Sequence, residues 1–125
     1  MCGIAGYYSI NKQFSETDLQ AMTGALQHRG PDAAGFFTNE EKTCGLGHRR
    51  LSIIDLSEAA NQPMFSHSGR YAVVFNGEVY NFRDIKKQLN ISTRTTSDTE
   101  IIIEAFARKG ADCVHLFNGM FAIAI

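Results

Sequence analysis

The chain has 125 residues, a formal net charge of −1 and 44% hydrophobic residues, which fits a single globular domain with one core. No apolar run approaches the ~20 residues that a membrane-spanning helix needs, so no membrane partner is expected. The 12 basic residues balance the 13 acidic ones and cluster only in pairs, so a nucleic acid is not an expected partner either. These values favour a domain that acts on a small molecule or binds a protein.

The cysteine and histidine residues form no recognisable framework. The three cysteines, at positions 2, 44 and 113, are odd in number and include no Cys-x-x-Cys pair, so neither a disulfide scaffold nor a zinc site is expected. The four histidines are scattered without ligand spacing, and we therefore expect no metal site. The first residues lack the basic stretch that opens a secretory signal, so a reducing cytoplasm is the expected location.

The first part of the chain predicts strands around one capped helix. Residues 3–9 are β-branched, aromatic and small, which indicates a strand. Ser15 and Asp18 have the spacing of a capping box, and apolar residues at helical spacing follow them. This helix should end near residues 27–29, because Gly30-Pro31 cannot continue it. Further strand-like runs lie at residues 35–38, 45–50 and 71–75.

The rest of the chain predicts two more helices and a final strand. One helix should cover residues 82–89, and another should run from Ser97 to Gly110 with Glu100 in the capping-box position. The expected class is therefore α+β with largely antiparallel sheets. The apolar run 120–125 predicts a strand buried on both faces inside a sheet. Because its edge would be apolar, we expect a fragment that lacks later strands; the alternative is a short protein that ends in this strand.

Cys2 is the first candidate for chemistry. Removal of Met1, which a small second side chain permits, would leave the Cys2 thiol beside its own α-amine. α-Amines have a pKa of about 7.7–8.0, so near neutral pH such a group can act as a general base for the thiol. The alternative is a small buried cysteine at the start of a strand.

Asn76-Gly77 allows two interpretations. Asn-Gly between apolar runs is typical of a type I′ hairpin turn. The same pair could stabilise an oxyanion, with the Asn76 carboxamide and the Gly77 N–H as donors. A turn that exposes both groups would satisfy both interpretations.

Arg50 and Asp98 could hold the two charged ends of an α-amino acid. A guanidinium binds a carboxylate in bidentate fashion, and the carboxylate of Asp98 would bind an ammonium group. Each also has a simpler interpretation, because Arg50 could be a solvated surface charge and Asp98 a favourable charge at a helix N-terminus. Together with Cys2 and Asn76-Gly77, they would surround the side-chain amide of an amino acid.

Several motifs of the chain occur together in one known family. They are CGIAG at 2–6, HRGPD at 28–32, GHRRLSIID at 47–55, FNGEVYN at 75–81 and SDTE at 97–100. In this order they resemble the glutaminase domain of class II glutamine amidotransferases, which are N-terminal nucleophile hydrolases. Within that class, the chain is most similar to asparagine synthetases of the glutamine-hydrolysing B type.

The resemblance implies a four-layer αββα sandwich of largely antiparallel sheets, and it assigns roles to residues at matching positions. Cys2 would be the nucleophile, and Asn76 and Gly77 would form the oxyanion hole. The implied glutamine-binding residues are Arg50 at the α-carboxylate, Asp98 at the α-amine, Glu78 in the pocket, and Leu51, Ser52, Ile53 and Ile54 along its wall. His28, Arg29 and Asp32 would have structural roles instead.

The implied reaction is hydrolysis of the side-chain amide of L-glutamine, whose ammonia would pass to a synthetase domain for ATP-dependent amidation. That domain has no counterpart in residues 1–125, so the chain would be a glutaminase domain, incomplete at its C-terminus. It would need no cofactor itself, since ATP and magnesium would belong to the synthetase domain. Edge pairing between chains would allow a homodimer.

Two other functions stay open at the level of sequence. One is a non-catalytic regulatory or partner-binding module with the same fold, which a retained Met1 would favour because it blocks the amine. The other is a papain-like hydrolase that pairs Cys2 with His28 or His48.

Overall fold

Residues 2–52 and 57–125, which the computed structural model describes, form two three-stranded antiparallel sheets and three α-helices. The strands are β1 (Gly3–Tyr8), β2 (Ala33–Thr38), β3 (Cys44–Arg50), β4 (Met64–Phe65), β5 (Ala72–Val79) and β6 (Gly119–Ala124). The helices are α1 (Glu16–Ala25), α2 (Phe82–Gln88) and α3 (Asp98–Lys109), and 3-10 turns cover Glu58–Ala60 and Gly110–Leu116. No helix in this part of the chain is long and apolar enough to cross a membrane.

The elements stack in the order helix, sheet, sheet, helix. In the first sheet β3 lies between β1 and β2, and in the second sheet β5 lies between β4 and β6. Helix α1 packs on β1 and β3, whereas α3 packs on β5 and α2 packs on α3. The two sheets contact each other where β1 and β3 of the first sheet meet β5 of the second. The α+β class and the αββα layer order predicted from the sequence are confirmed.

The larger core lies between the second sheet and α3. Val73, Phe75 and Val79 of β5 are at most 3% exposed, and they pack in one cluster with residues 101–103 of α3. Full burial of such a side chain stabilises the fold by about 1.5–3 kcal/mol. Because a slip of one residue would turn these side chains to the opposite face, the core fixes the register of β5.

The capping box predicted at α1 is present. The Asp18 N–H donates to Ser15 Oγ at 3.3 Å, and the Ser15 N–H donates to the Asp18 carboxylate at 2.8 Å. The helix ends at Ala25, slightly before the expected residues 27–29. The chain closes there in single turns, such as the 2.9 Å bond from the Arg29 N–H to the Leu26 carbonyl.

The capping box predicted at α3 is wrong. Ser97 caps the helix by accepting a hydrogen bond from the Thr99 N–H at 3.2 Å. Glu100 instead accepts hydrogen bonds from the N–H groups of Arg94 at 2.8 Å and Thr95 at 2.7 Å, and it lies 2.7 Å from His67 Nε2. These donors outside the helix offer the carboxylate more hydrogen bonds than the single N–H of a cap.

The hairpin turn predicted at Asn76-Gly77 does not form. Both residues lie inside β5, where Asn76 is opposite Ala122 and Gly77 is opposite Phe121 of β6. Pairing with a strand that is distant in sequence overrides the local turn preference, as tertiary context often does.

The final strand is not buried on both faces. β6 lies at an edge of the second sheet beside β5, and Met120 is 70% exposed. Exposure alternates along the first residues of β6, so one face packs on the protein and the other does not. Hydrophobicity along the strand does not reveal this alternation, because the residues on the exposed face, Met120 and Ala122, are also apolar.

Candidate active site

One cleft of about 410 Å³ gathers residues from distant parts of the chain. Cys2 lines it directly before β1, Arg50 at the end of β3, residues 76–78 within β5, and Asp98 at the start of α3. Layered packing of the two sheets and α3 thus brings separate sequence motifs to one surface.

Most residues that the sequence predicted for the site line this cleft. They are Cys2, Arg50, Leu51, Asn76, Gly77, Glu78 and Asp98. Ser52 is not among the described lining residues, and its N–H donates to Asp32 Oδ2 at 2.8 Å. Ile53 and Ile54 lie outside the described residues.

Cys2 is held at the cleft through its carbonyl and its sulfur. Arg29 Nε donates to the Cys2 carbonyl at 3.0 Å, which ties this residue to the HRGPD segment. The Leu51 N–H donates to Cys2 Sγ at 3.4 Å, and Sγ lies 3.7 Å from the Leu51 carbonyl oxygen. Cys2 is only partly buried, and an N–H donor faces its sulfur. A reachable thiol with a donor directed at it is suited to act as a nucleophile.

The backbone of β5 presents N–H groups to its two sides alternately. The Tyr80 N–H, next to β5, bonds to the Asn118 carbonyl at 2.8 Å, so the ladder register assigns the even-numbered N–H groups to β6. The odd-numbered N–H groups point away from β6. Phe75 donates its N–H to Gln62 Oε1 at 2.6 Å, and Val79 donates its N–H to Asp98 Oδ2 at 3.1 Å.

The Gly77 N–H lies between these two bonded groups. No described residue accepts a hydrogen bond from it, and Gly77 lines the cleft. Beside it, Asn76 Oδ1 is buried without a hydrogen-bond partner among residues 2–52 and 57–125. An unused backbone N–H next to a carboxamide is the arrangement that can stabilise an oxyanion.

Position 77 requires glycine. Its φ angle is +153°, and a Cβ atom there would lie 2.6 Å from Phe121 Cα and would also collide with the Met120 carbonyl oxygen. Only a residue without a side chain therefore allows β5 to pair with β6 here while the N–H faces the cleft.

Arg50 is buried at the cleft, so its interpretation as a solvated surface charge is wrong. It is 7% exposed, and its Nη1 donates to the Ser57 carbonyl and to Asn61 Oδ1, each at 2.7 Å. These bonds fix the orientation of the guanidinium. A guanidinium in a fixed orientation is suited to bind a carboxylate with two parallel hydrogen bonds.

Asp98 and Glu78 make one part of the cleft acidic. Asp98 is 4% exposed, and burial raises its pKa, as does the charge of Glu78, while hydrogen bonds from the backbone of Val79 and Thr99 act in the opposite direction. Two neighbouring carboxylates attract a cation, and a cation bound here would in turn favour the ionised form of Asp98. In the described part of the chain, no group of three histidine, cysteine, aspartate or glutamate side chains could hold a metal ion.

Two further cleft residues, Gln62 and Thr99, were not predicted from the sequence. Gln62 Nε2 donates to Thr99 Oγ1 at 3.3 Å. Thr99 lies inside the SDTE motif, which is a signal that could have identified it. No local pattern marks Gln62, since it contacts the other residues only in the folded chain.

Comparison with known proteins agrees with this geometry. Residues 1–125 match the family model of the glutamine amidotransferase domain. The chain is 38% identical over its whole length to a Methanocaldococcus jannaschii protein provisionally named glutamine-hydrolyzing asparagine synthetase 2, of which it covers 27%. It is 35% identical to glutamine-hydrolyzing asparagine synthetase 3 of Bacillus subtilis and 35% identical to amidase chry2 of Gibberella zeae, covering 21% of each with 100% of its own length. The chain therefore belongs to the glutamine amidotransferase domain family.

Proposed function

We propose that this domain hydrolyses the side-chain amide of L-glutamine, with Cys2 as the nucleophile. The observation that carries the proposal is the single cleft that contains the Cys2 thiol, the unused Gly77 N–H and, further along its wall, a buried cation and a buried carboxylate. This set contains a nucleophile, an oxyanion donor and partners for both charged ends of an α-amino acid.

The reaction would begin once removal of Met1 has freed the α-amine of Cys2. The amine, directly or through a water molecule, takes the thiol proton as Sγ attacks the amide carbon. Asn76 and Gly77 donate hydrogen bonds to the tetrahedral oxyanion; loss of one such donor typically raises a barrier by about 2.7–4 kcal/mol. Collapse of this intermediate breaks the C–N bond, and the leaving nitrogen takes the proton back and departs as ammonia. Water then hydrolyses the γ-glutamyl thioester to glutamate and restores the thiol.

Glutamine would be oriented by charge at its α-carbon. Arg50 would bind the α-carboxylate, and Asp98 together with Glu78 would bind the α-ammonium group. With both charges fixed, the side-chain amide can be held near Cys2, and such orientation is itself a large part of catalysis.

The ammonia would serve an ATP-dependent amidation of a carboxylate, such as that of aspartate. Two of the relatives described above bear the name of glutamine-hydrolyzing asparagine synthetases, and this chain covers 21–27% of their length. Amidation would therefore need a synthetase domain as partner. A free thiol at the nucleophile position also suits a reducing cytoplasm.

Glutamate formation from glutamine by the purified chain tests the proposal. We expect Cys2→Ala to lower kcat by more than about a thousandfold. Cys44→Ala is the matched control, because Cys44 is also partly buried but does not line the cleft, and it should keep the wild-type rate. Intact mass after treatment with the diazoketone analogue of L-glutamine should show loss of Met1 and one adduct on Cys2. Wild-type turnover in Cys2→Ala, or an adduct on Cys44 or Cys113, would overturn the proposal.

A further inference from the structure

Asn61 and Gln62 lie at the point where the walls of the cleft meet. They follow the turn Glu58–Ala60 and precede β4. Asn61 bonds to Arg50, whereas Gln62 bonds to both β5 and α3. Two consecutive side chains thus connect β3, β5 and α3, the three elements that would contact the L-glutamine substrate.

The Gln62 amide joins β5 to α3. Its Oε1 accepts a hydrogen bond from the Phe75 N–H at 2.6 Å, directly before Asn76, and its Nε2 donates to Thr99 Oγ1 at 3.3 Å, directly after Asp98. Gln62 is 7% exposed, so both bonds are shielded from water. One planar amide therefore sets how far the oxyanion donors lie from the carboxylate.

Gln62 also takes the place of a strand. The pairs Met64–Val73 and Phe65–Ala72 define the register of β4 on β5, and its continuation would put Gln62 opposite Phe75. The backbone turns away instead, and the Gln62 carbonyl packs against Gly35 of β2. The side chain then supplies the acceptor that the strand would have supplied. Pairing by a longer strand would also have consumed the next donor, the Gly77 N–H.

Asn61 fixes the cation of the cleft. Its Oδ1 accepts a hydrogen bond from Arg50 Nη1 at 2.7 Å. The guanidinium fork is planar, so a bond at one nitrogen limits the directions in which the others can point. Asn61 therefore limits where a carboxylate can bind.

We propose that Asn61 and Gln62 are positioning residues of the glutamine site: Asn61 orients Arg50, and Gln62 sets the oxyanion donors of β5 against Asp98 and leaves the Gly77 N–H open. This inference rests on the proposed function. Neither residue takes part in bond making or breaking; each acts through a neighbour.

The test replaces each amide by an apolar side chain of similar size and measures kcat and KM for L-glutamine. Gln62→Met should lower kcat/KM roughly 10- to 100-fold, with a loss in kcat, because it leaves the buried Phe75 N–H unpaired beside the oxyanion donors. Asn61→Leu should raise KM roughly tenfold with little change in kcat. Gln88→Met, on the exposed face of α2, is the matched control and should match the wild type.

A milder variant keeps the test informative if Gln62→Met fails to fold. Thr99→Val removes only the bond to α3, and we expect a raised KM in this variant. Where both variants fold, the double variant should lose no more activity than Gln62→Met alone, because Gln62→Met already removes the bond to Thr99.

The rate of Cys2 alkylation separates this inference from the proposed function. The diazoketone analogue of L-glutamine requires recognition of the α-carbon, whereas iodoacetamide requires only a reachable thiol. If the wild type reacts equally with the L and D forms of the diazoketone, the proposed function fails. If the wild type prefers the L form and Asn61→Leu and Gln62→Met keep that preference and wild-type kinetics, the positioning role is wrong. A positioning role predicts a reduced preference for the L form with an unchanged iodoacetamide rate.

Discussion

The carboxylate of Asp98 accepts a 3.1 Å hydrogen bond from the backbone N–H of Val79, two residues beyond Gly77 on the same strand. The acid at the start of α3 is therefore fixed to the strand that carries the candidate oxyanion donor. This bond and the Gln62 amide together fix the distance between the proposed ammonium site and the proposed oxyanion hole.

Asp98→Asn is the first variant to make. The carboxamide keeps an acceptor for the Val79 N–H but loses the charge, so folding should survive while the attraction for an ammonium group is lost. We expect KM for L-glutamine to rise at least about tenfold, with a smaller change in kcat. Steady-state kinetics together with thermal unfolding checks this. A normal KM would show that the ammonium group binds elsewhere.

Gly77→Ala should damage both stability and catalysis. At φ +153° a Cβ would collide with the backbone of β6, so we expect a loss of about 1–3 kcal/mol in the free energy of unfolding and a fall in kcat. Urea unfolding measures the first, and glutamate formation the second.

Gly24→Ala is the control for that experiment. Gly24 lies in α1, and a Cβ there meets no atom within 4 Å, so alanine should stabilise the helix by about 0.5–1 kcal/mol. Equal behaviour of the two glycine variants would argue against a special backbone at Gly77.

Arg50→Lys tests whether the cleft needs a planar fork or only a positive charge. A lysine ammonium cannot bind a carboxylate with two parallel bonds while it also bonds to Asn61. We expect KM to rise roughly tenfold while kcat changes less. A change confined to kcat would contradict a role in binding the α-carboxylate.

His48 should make the fold less stable in mild acid. It is 1% exposed, and burial lowers its pKa from 6.5 to about 4; the charge of Arg50 acts in the same direction, and the backbone of Phe75 acts against it. Between pH 6.5 and 4 the unfolded chain binds more protons than the folded chain, so the free energy of unfolding falls as the pH falls through this range. The loss attributable to His48 is on the order of 3 kcal/mol.

Denaturant unfolding at a series of pH values measures that dependence. His48→Gln should be less stable overall but should show a smaller slope between pH 6.5 and 4 than the wild type. His115→Gln is the control, because His115 is exposed, and its slope should be that of the wild type. An unchanged slope in His48→Gln would show that this histidine is not the buried neutral group.

Local signals predicted the parts of the fold that depend on local contacts. Ser15 and Asp18 form their capping box within one turn, and the sequence spacing was sufficient to identify it. The local pattern at Asn76-Gly77 favours a turn, and nothing in it shows that β6, far along the chain, pairs with β5. The donors that draw Glu100 away from its own helix are not visible in the capping-box spacing either, since they belong to the preceding loop and to His67.

The same division applies to the candidate site. Cys2, Arg50 and Asp98 stand within recognisable motifs, and the structure brings them to one cleft. Asn61 and Gln62 stand in no motif that indicates chemistry, because their contacts with Arg50 and Phe75 exist only after the sheets have packed. Sequence motifs thus identify the proposed ligand-binding residues more readily than the residues that position them.

The alternation of N–H groups along β5 restricts how this protein can change in length. Deleting one residue between Val73 and Gly77 would reverse the directions of the N–H groups that follow. The Gly77 N–H would then bond to β6 and would no longer face the cleft. The connection between β4 and β5 has no such constraint, since Gly69 there has open space around it and bears on neither edge. Insertions should therefore be tolerated in that connection. Within β5, in contrast, the insertion of a single residue should be harmful, because it would turn the Gly77 N–H from the cleft towards β6.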